Sequence, residues 1–85
     1  MKNKDEIKMA IYSYYKDYKN VPSSCLEEIE YDLDNNIEKE LDYCRIEYDF
    51  IRVNNIKDKI RIERLDYMWD ELNYLKSERE EKGNE

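Results

Sequence analysis

The chain has 85 residues, of which 22 are acidic and 15 basic, giving a net charge of −7. That length allows one domain with a modest core and leaves scant room for a catalytic cleft. The acid excess argues against direct nucleic-acid binding. Two cysteines without histidine argue against a zinc site, and the lack of any long apolar run argues against secretion or membrane spanning.

Asn3 to Lys19 reads as a first helix. Asn3 suits the N-cap, and Asp5 and Glu6 sit in the first turn, where the helix dipole favours negative charge. Ile7, Ile11, Tyr14 and Tyr18 step by four, three and four, which places them on one face. Pro22 disfavours helical geometry at Val21 and ends the segment.

Ser24 to Val53 reads as one long second helix. Ser24-Cys25-Leu26-Glu27 fits a capping box. Leu26, Ile29, Leu33, Ile37, Leu41, Cys44, Tyr48 and Ile51 recur by threes and fours. Asp34-Asn35-Asn36 are poor helix formers and a possible pause, but the apolar phase holds from Leu33 to Ile37, so a continuous helix is expected. On such a helix Cys25 and Cys44 would sit nearly 30 Å apart, beyond disulfide reach. Free thiols in a reducing, cytoplasmic setting are the expectation.

Asn54-Asn55 is a credible turn, because Asn tolerates left-handed geometry. Cys44 to Phe50 and Ile60 to Ile62 also alternate apolar and charged residues, so a β-hairpin around the Asn pair is a competing reading. The helical period and the absence of Thr favour helix. A last helix is expected from about Ile56 to Glu80, with Ile56, Ile60 and Trp69 on its buried face. Leu65, Met68, Leu72 and Leu75 form a seam suited to a second helix, and a homodimer through it is expected. Ser77 to Glu85 is nearly all charged or Gly/Asn and reads as a mobile tail. The fold class expected is all-α, a single domain of three main helices, completed by dimerisation.

Ten acids lie between Glu27 and Asp49, opposed only by Lys39 and Arg45. They fall at about one per 3.5 Å of continuous helix, close to the one per 3.4 Å of a single DNA strand. Tyr31 lies among them, and tyrosine is favoured at binding hot spots. Lys, Ile, Tyr and Asn, numbering 10, 9, 9 and 8, have AT-rich codons, so part of the tyrosine content reflects a low-GC genome. No spacing of acids, cysteines or hydroxyls forms a catalytic or metal-binding motif, and neither an enzymatic role nor a cofactor is expected.

In length, charge, low-GC composition and the acid-lined stretch Glu27 to Asp49, the chain resembles small acidic phage proteins that disarm host machinery, in particular anti-CRISPR proteins. These inhibitors share no common fold. The resemblance implies a non-catalytic inhibitor that occupies the DNA-binding groove of a CRISPR effector or another nucleic-acid-binding complex. The acidic face for that role comprises Glu27, Glu28, Glu30, Tyr31, Asp32, Asp34, Glu38, Asp42 and Asp49. The alternative is a helical dimeric adaptor, or a transcription regulator, working through its apolar seam.

Overall fold

The computed structural model describes residues 3–83 and contains four helices: α1 (Lys4–Lys19), α2 (Cys25–Asn35), α3 (Ile37–Val53) and α4 (Lys59–Gly83). The fold is all-α, and no strand occurs among the described residues.

The start of α1 follows the sequence expectation, with Asn3 Oδ1 accepting from the Glu6 amide at 2.9 Å. Asn20 closes the helix in left-handed geometry, φ 53°. The capping box at Ser24 does not form. Ser24 already has helical dihedrals, and the carbonyls of Pro22 and Ser23 accept from the Cys25 and Leu26 amides at 3.1 and 3.0 Å. The backbone turn therefore begins earlier and leaves the serine hydroxyl without its capping role.

The continuous second helix is also corrected. Asn36 leaves helical geometry at φ −153°, ψ 67°, so α2 and α3 are separate helices. The Asn36 amide still donates to Asp32 O at 2.8 Å, and its carbonyl accepts from the Lys39 amide at 3.1 Å, closing one helix and opening the next. Glu28 and Lys39 would lie about 16 Å apart along a straight helix. Instead Lys39 Nζ meets Glu28 Oε1 at 2.8 Å, so the chain folds back on itself at Asn36.

Asn54-Asn55 ends a helix rather than joining two strands. The Ile56 amide donates to Ile51 O at 3.0 Å and the Asn55 amide to Arg52 O at 3.2 Å. With Asn55 at φ 54°, this is the Schellman arrangement, which satisfies carbonyls that the helix end leaves open. Helix α4 starts three residues later than expected. Asp58 Oδ1 accepts from the Arg61 amide at 3.0 Å, the capping role of an Asp at this position.

The four helices form a ring in which α1 contacts α2 and α4, and α3 contacts the same two. Ile7, Ile11 and Tyr14 of α1, Ile29 and Leu33 of α2, Leu41, Cys44 and Ile51 of α3, and Leu65, Met68 and Leu72 of α4 fill the centre. The predicted dimer seam is thus inside the single chain. Leu65, Met68 and Leu72 are buried, and Leu75 is half-buried against them. A fourth helix, made by the break at Asn36, supplies the cover that a three-helix chain would have sought from a partner. Ile60, expected on the buried face of α4, is exposed, whereas Trp69 and Ile56 pack against the core. The charged end expected to be mobile is helical as far as Gly83, and Asn84 and Glu85 lie outside the described residues.

Candidate functional site

Two polar groupings emerge from this arrangement, one on the surface of α2 and one inside the bundle. Helix α2 turns Ile29, Asp32 and Leu33 inward. Its other face carries Glu27, Glu28, Glu30, Tyr31 and Asp34, all exposed. Glu27 and Glu28 precede Tyr31 by four and three positions, and Asp34 follows by three, so these carboxylates surround the ring on one helix surface. Tyr31 is 64% exposed. No base occurs within α2. Cations reach this face from elsewhere. Lys4 Nζ lies 2.9 Å from Asp34 and 3.8 Å from Glu30, Lys8 lies 3.8 Å from Glu30, and Lys39 pairs with Glu28. Such partly exposed pairs are worth little, about 0–1 kcal/mol each, and exchange readily.

The remaining predicted face residues do not continue this surface as one straight row, because the chain folds back at Asn36. Glu38 pairs with Lys76 at 2.9 Å. Asp42 bonds Arg45, and Asp49 lies 3.4 Å from Arg52. Asp32 is buried, 2% exposed, and cannot be part of an outer face. A straight row of outward acids therefore remains only along α2.

Inside the bundle lie two glutamates, Glu40 and Glu47, that the sequence counts among the ten acids of this stretch without assigning them to the acidic face. Glu40, Cys44, Glu47 and Ile51 step by four, three and four, so Glu40 and Glu47 share the face of two core residues. That register was the available signal. Glu47 accepts from Tyr14 Oη at 2.8 Å and from Arg61 Nη2 at 2.9 Å, and Lys19 Nζ sits 2.5 Å from its other oxygen. Arg61 Nε also donates to Tyr14 Oη at 3.1 Å, closing a triangle among α1, α3 and α4. Burial pushes the Glu47 carboxyl up, but the bonds from Lys19, Tyr14 and Arg61 outweigh it and hold the group below its ordinary value.

Glu40 has no such cation among the described residues. Tyr15 Oη donates to its Oε1 at 3.0 Å, and Asp32 lies within hydrogen-bonding reach. Burial, reinforced by Asp32 and only partly offset by Tyr15, raises the Glu40 carboxyl to about 8. The enclosed Asp32 Oδ2 receives no hydrogen bond from an N–H or O–H group among the described residues. A proton kept on Glu40 is the donor that this carboxyl pair needs.

Beside Glu40 lies an open cavity of about 360 Å³ between α1, α2 and α3, walled mainly by Tyr15, Val21, Ile29, Tyr43 and Ile46. Its chemistry is quiet. Burial raises the Cys25 thiol and pushes Cys44 up to about 12, so neither is a ready nucleophile. Both thiols act electrostatically on Tyr15, so the fold-back brings them to one region rather than opposite ends of a long helix, and both are free. No group of three potential metal ligands occurs among the described residues. No helix among them is long and apolar enough to cross a membrane. Comparison of the chain with protein families, with curated proteins and with solved structures gives no match.

Proposed function

We propose that this protein is a non-catalytic inhibitor that binds a nucleic-acid-binding host complex through the acidic face of α2, with a CRISPR effector as the target that its size, charge and composition suggest. One observation carries the reading: α2 has five acids and no base, and Tyr31, 64% exposed, stands in the middle of four of them. Lysines and arginines arranged for phosphates meet carboxylates instead, and the Tyr31 ring supplies contact area that charge alone does not. The face is shorter than a full DNA turn, about 16 Å for eleven residues. It works as a local plug of a basic groove rather than as a replica of a duplex. Glu38, Asp42 and Asp49 on α3 add to the field without belonging to the contact.

The test is inhibition of target-DNA binding by a purified CRISPR effector–guide complex. The wild-type protein competes with duplex DNA, and competition weakens as salt rises. Tyr31→Ala combined with Glu27→Lys and Glu28→Lys removes the effect while circular dichroism stays helical. Inhibition that survives those three changes sinks the reading.

A further inference from the structure

The cavity between α1, α2 and α3 leads to a buried carboxyl pair that lacks a cation. Ile46 on its wall is 59% exposed and Glu40 only 1%, which sets the mouth at Ile46 and the inner end at Glu40. Asp32, 2% exposed, stands behind Glu40 within hydrogen-bonding reach. The other acids of the wall are already compensated. Glu47 meets Lys19 and Arg61, and Glu28 meets Lys39. Glu40 meets the Tyr15 hydroxyl at 3.0 Å, and Asp32 Oδ2 receives no hydrogen bond among the described residues. Two buried carboxyls this close cannot both ionise without positive charge beside them. In the chain alone a proton fills that need, and the cavity gives a second cation a way in.

The walls select which cation. Val21, Ile29 and Ile46 are apolar, and the rings of Tyr15 and Tyr43 stand edge to face, 6.3 Å apart at 90°. A hard metal ion asks for six or more oxygens, and no group of three potential ligands occurs among the described residues. An organic ammonium asks for one carboxylate, apolar cover for its body and aromatic rings near its charge. The volume of about 360 Å³ lies at the small end of ligand sites, which suits one aromatic ring on a short chain. We propose that this cavity binds a small hydrophobic amine, a primary ammonium on a short chain bearing one aromatic ring, with its N–H groups donating to Glu40 and its body against Val21, Ile29 and the two tyrosine rings. The site goes beyond the α2 reading and is separate from it, since neither Glu27 nor Tyr31 lines the cavity.

One proton is exchanged on binding. The ammonium keeps its protons, and Glu40 releases its own to solvent. The titratable groups around Glu40 are Tyr15 from α1, Cys25, Glu28 and Asp32 from α2, and Cys44 on its own helix. Burial raises Tyr15 and both thiols, so these three stay neutral to pH 8. Glu40 holds its proton to about 8, whereas a primary amine remains charged to about 10. Binding therefore strengthens as pH rises through neutrality.

The experiment titrates the full-length protein with 2-phenylethylammonium, 2-phenylethanol and 3-phenylpropionate, followed by amide shifts in NMR and by calorimetry. The ammonium is expected to bind at least about 10-fold tighter than the alcohol, and the carboxylate more weakly than either. Affinity for the ammonium rises up to about 10-fold from pH 6 to pH 7, and calorimetry in two buffers of different ionisation heat records proton release. Glu40→Gln removes both the preference for the ammonium and the pH dependence, while Tyr31→Ala changes neither. The wild-type comparisons decide the matter even if Glu40→Gln does not fold. The alcohol binding as tightly as the ammonium overturns the proposal, because the carboxyl pair then plays no part. So does an affinity that is flat from pH 6 to pH 7, or the absence of saturable binding at about 1 mM ligand. Amide shifts confined to the outer face of α2 overturn it as well, since they would report only screening of the surface acids.

Discussion

Tyr14 and Glu47, 33 positions apart, are joined across the bundle by a 2.8 Å hydrogen bond in which the phenol donates to Oε1. Helices α1 and α3 have no backbone approach to one another, so this contact and its neighbours tie the diagonal of the ring. Arg61 reaches both residues from α4. Replacing Glu47 with Gln leaves Arg61 and Lys19 without their carboxylate. Breaking a buried pair costs about 3–5 kcal/mol, but the Lys19 side chain is 36% exposed and recovers water, so about 2–3 kcal/mol is expected in urea unfolding at neutral pH. Because the carboxyl is held below its ordinary 4.5, its contribution is complete above that value and lost as pH falls through the lower folded value. The difference between wild type and Glu47→Gln should therefore shrink below about pH 4.

Glu40 behaves with the opposite sign. The unfolded chain releases this proton near the ordinary value of 4.5, and the folded chain keeps it to about 8. Between those values the native state binds the extra proton, so stability falls as pH rises, by at most about 1.4 kcal/mol per unit. Glu40→Gln keeps a polar group beside Tyr15 and Asp32 and removes the titration. Thermal unfolding at pH 5 and pH 8 is expected to show a drop in wild type that is much reduced in Glu40→Gln. An unchanged pH slope would mean that Glu40 ionises normally.

Leu72 tests the fate of the leucine seam. Its side chain is fully buried within the chain, so Leu72→Ala should cost about 2–5 kcal/mol of folding stability while leaving the sedimenting mass of the folded protein unchanged. A change of mass instead would return the seam to an intersubunit role.

The cysteines should differ in reactivity. Cys44 is 1% exposed with its thiol pushed up to about 12, whereas Cys25 is only half-buried and its thiol less strongly shifted. Iodoacetamide at pH 8, followed by mass spectrometry, should label Cys25 at least about 10-fold faster, since the thiolate is the nucleophile. Cys44 should react only as the protein unfolds.

Surface acids should be thermally silent. Glu27→Lys and Tyr31→Ala alter exposed side chains of α2, and each is expected to shift stability by no more than about 0.5 kcal/mol. This makes them clean probes of binding, since any loss of competition with DNA cannot be laid to unfolding. A larger thermal shift would remove them as probes.

Much of the fold was legible because helices report themselves through local spacing. Ile7, Ile11 and Tyr14 form a core row through their spacing by fours and threes, and Asn3 and the Asn54-Asn55 pair mark helix ends because their side chains and backbones suit those positions. The site was less legible. Glu40 and Glu47 look like any other acids in an acidic stretch, and only their register with Cys44 and Ile51 distinguishes them. Asp32 sits between Glu30 and Asp34 in the chain, yet two positions each way, more than half a helical turn, separate the buried carboxylate from the exposed ones.

The amino-acid sequence by itself determined that this protein is helical, where most of its helices begin and end, which side chains are apolar on each, and that the negative charge gathers between Glu27 and Asp49. Those are properties of single turns, set by neighbours three and four positions away. Asn36 decided the rest. Apolar phase continues across it, so spacing alone reads one helix, but its backbone leaves helical geometry and turns α3 back beside α2. The packing so created gives the leucine seam of α4 a partner within the chain, brings Asp32 to Glu40, and sends Arg61 to Tyr14 and Glu47. Which carboxylates are buried and which face water follows from how four helices close around one core, a long-range choice that no local spacing specifies.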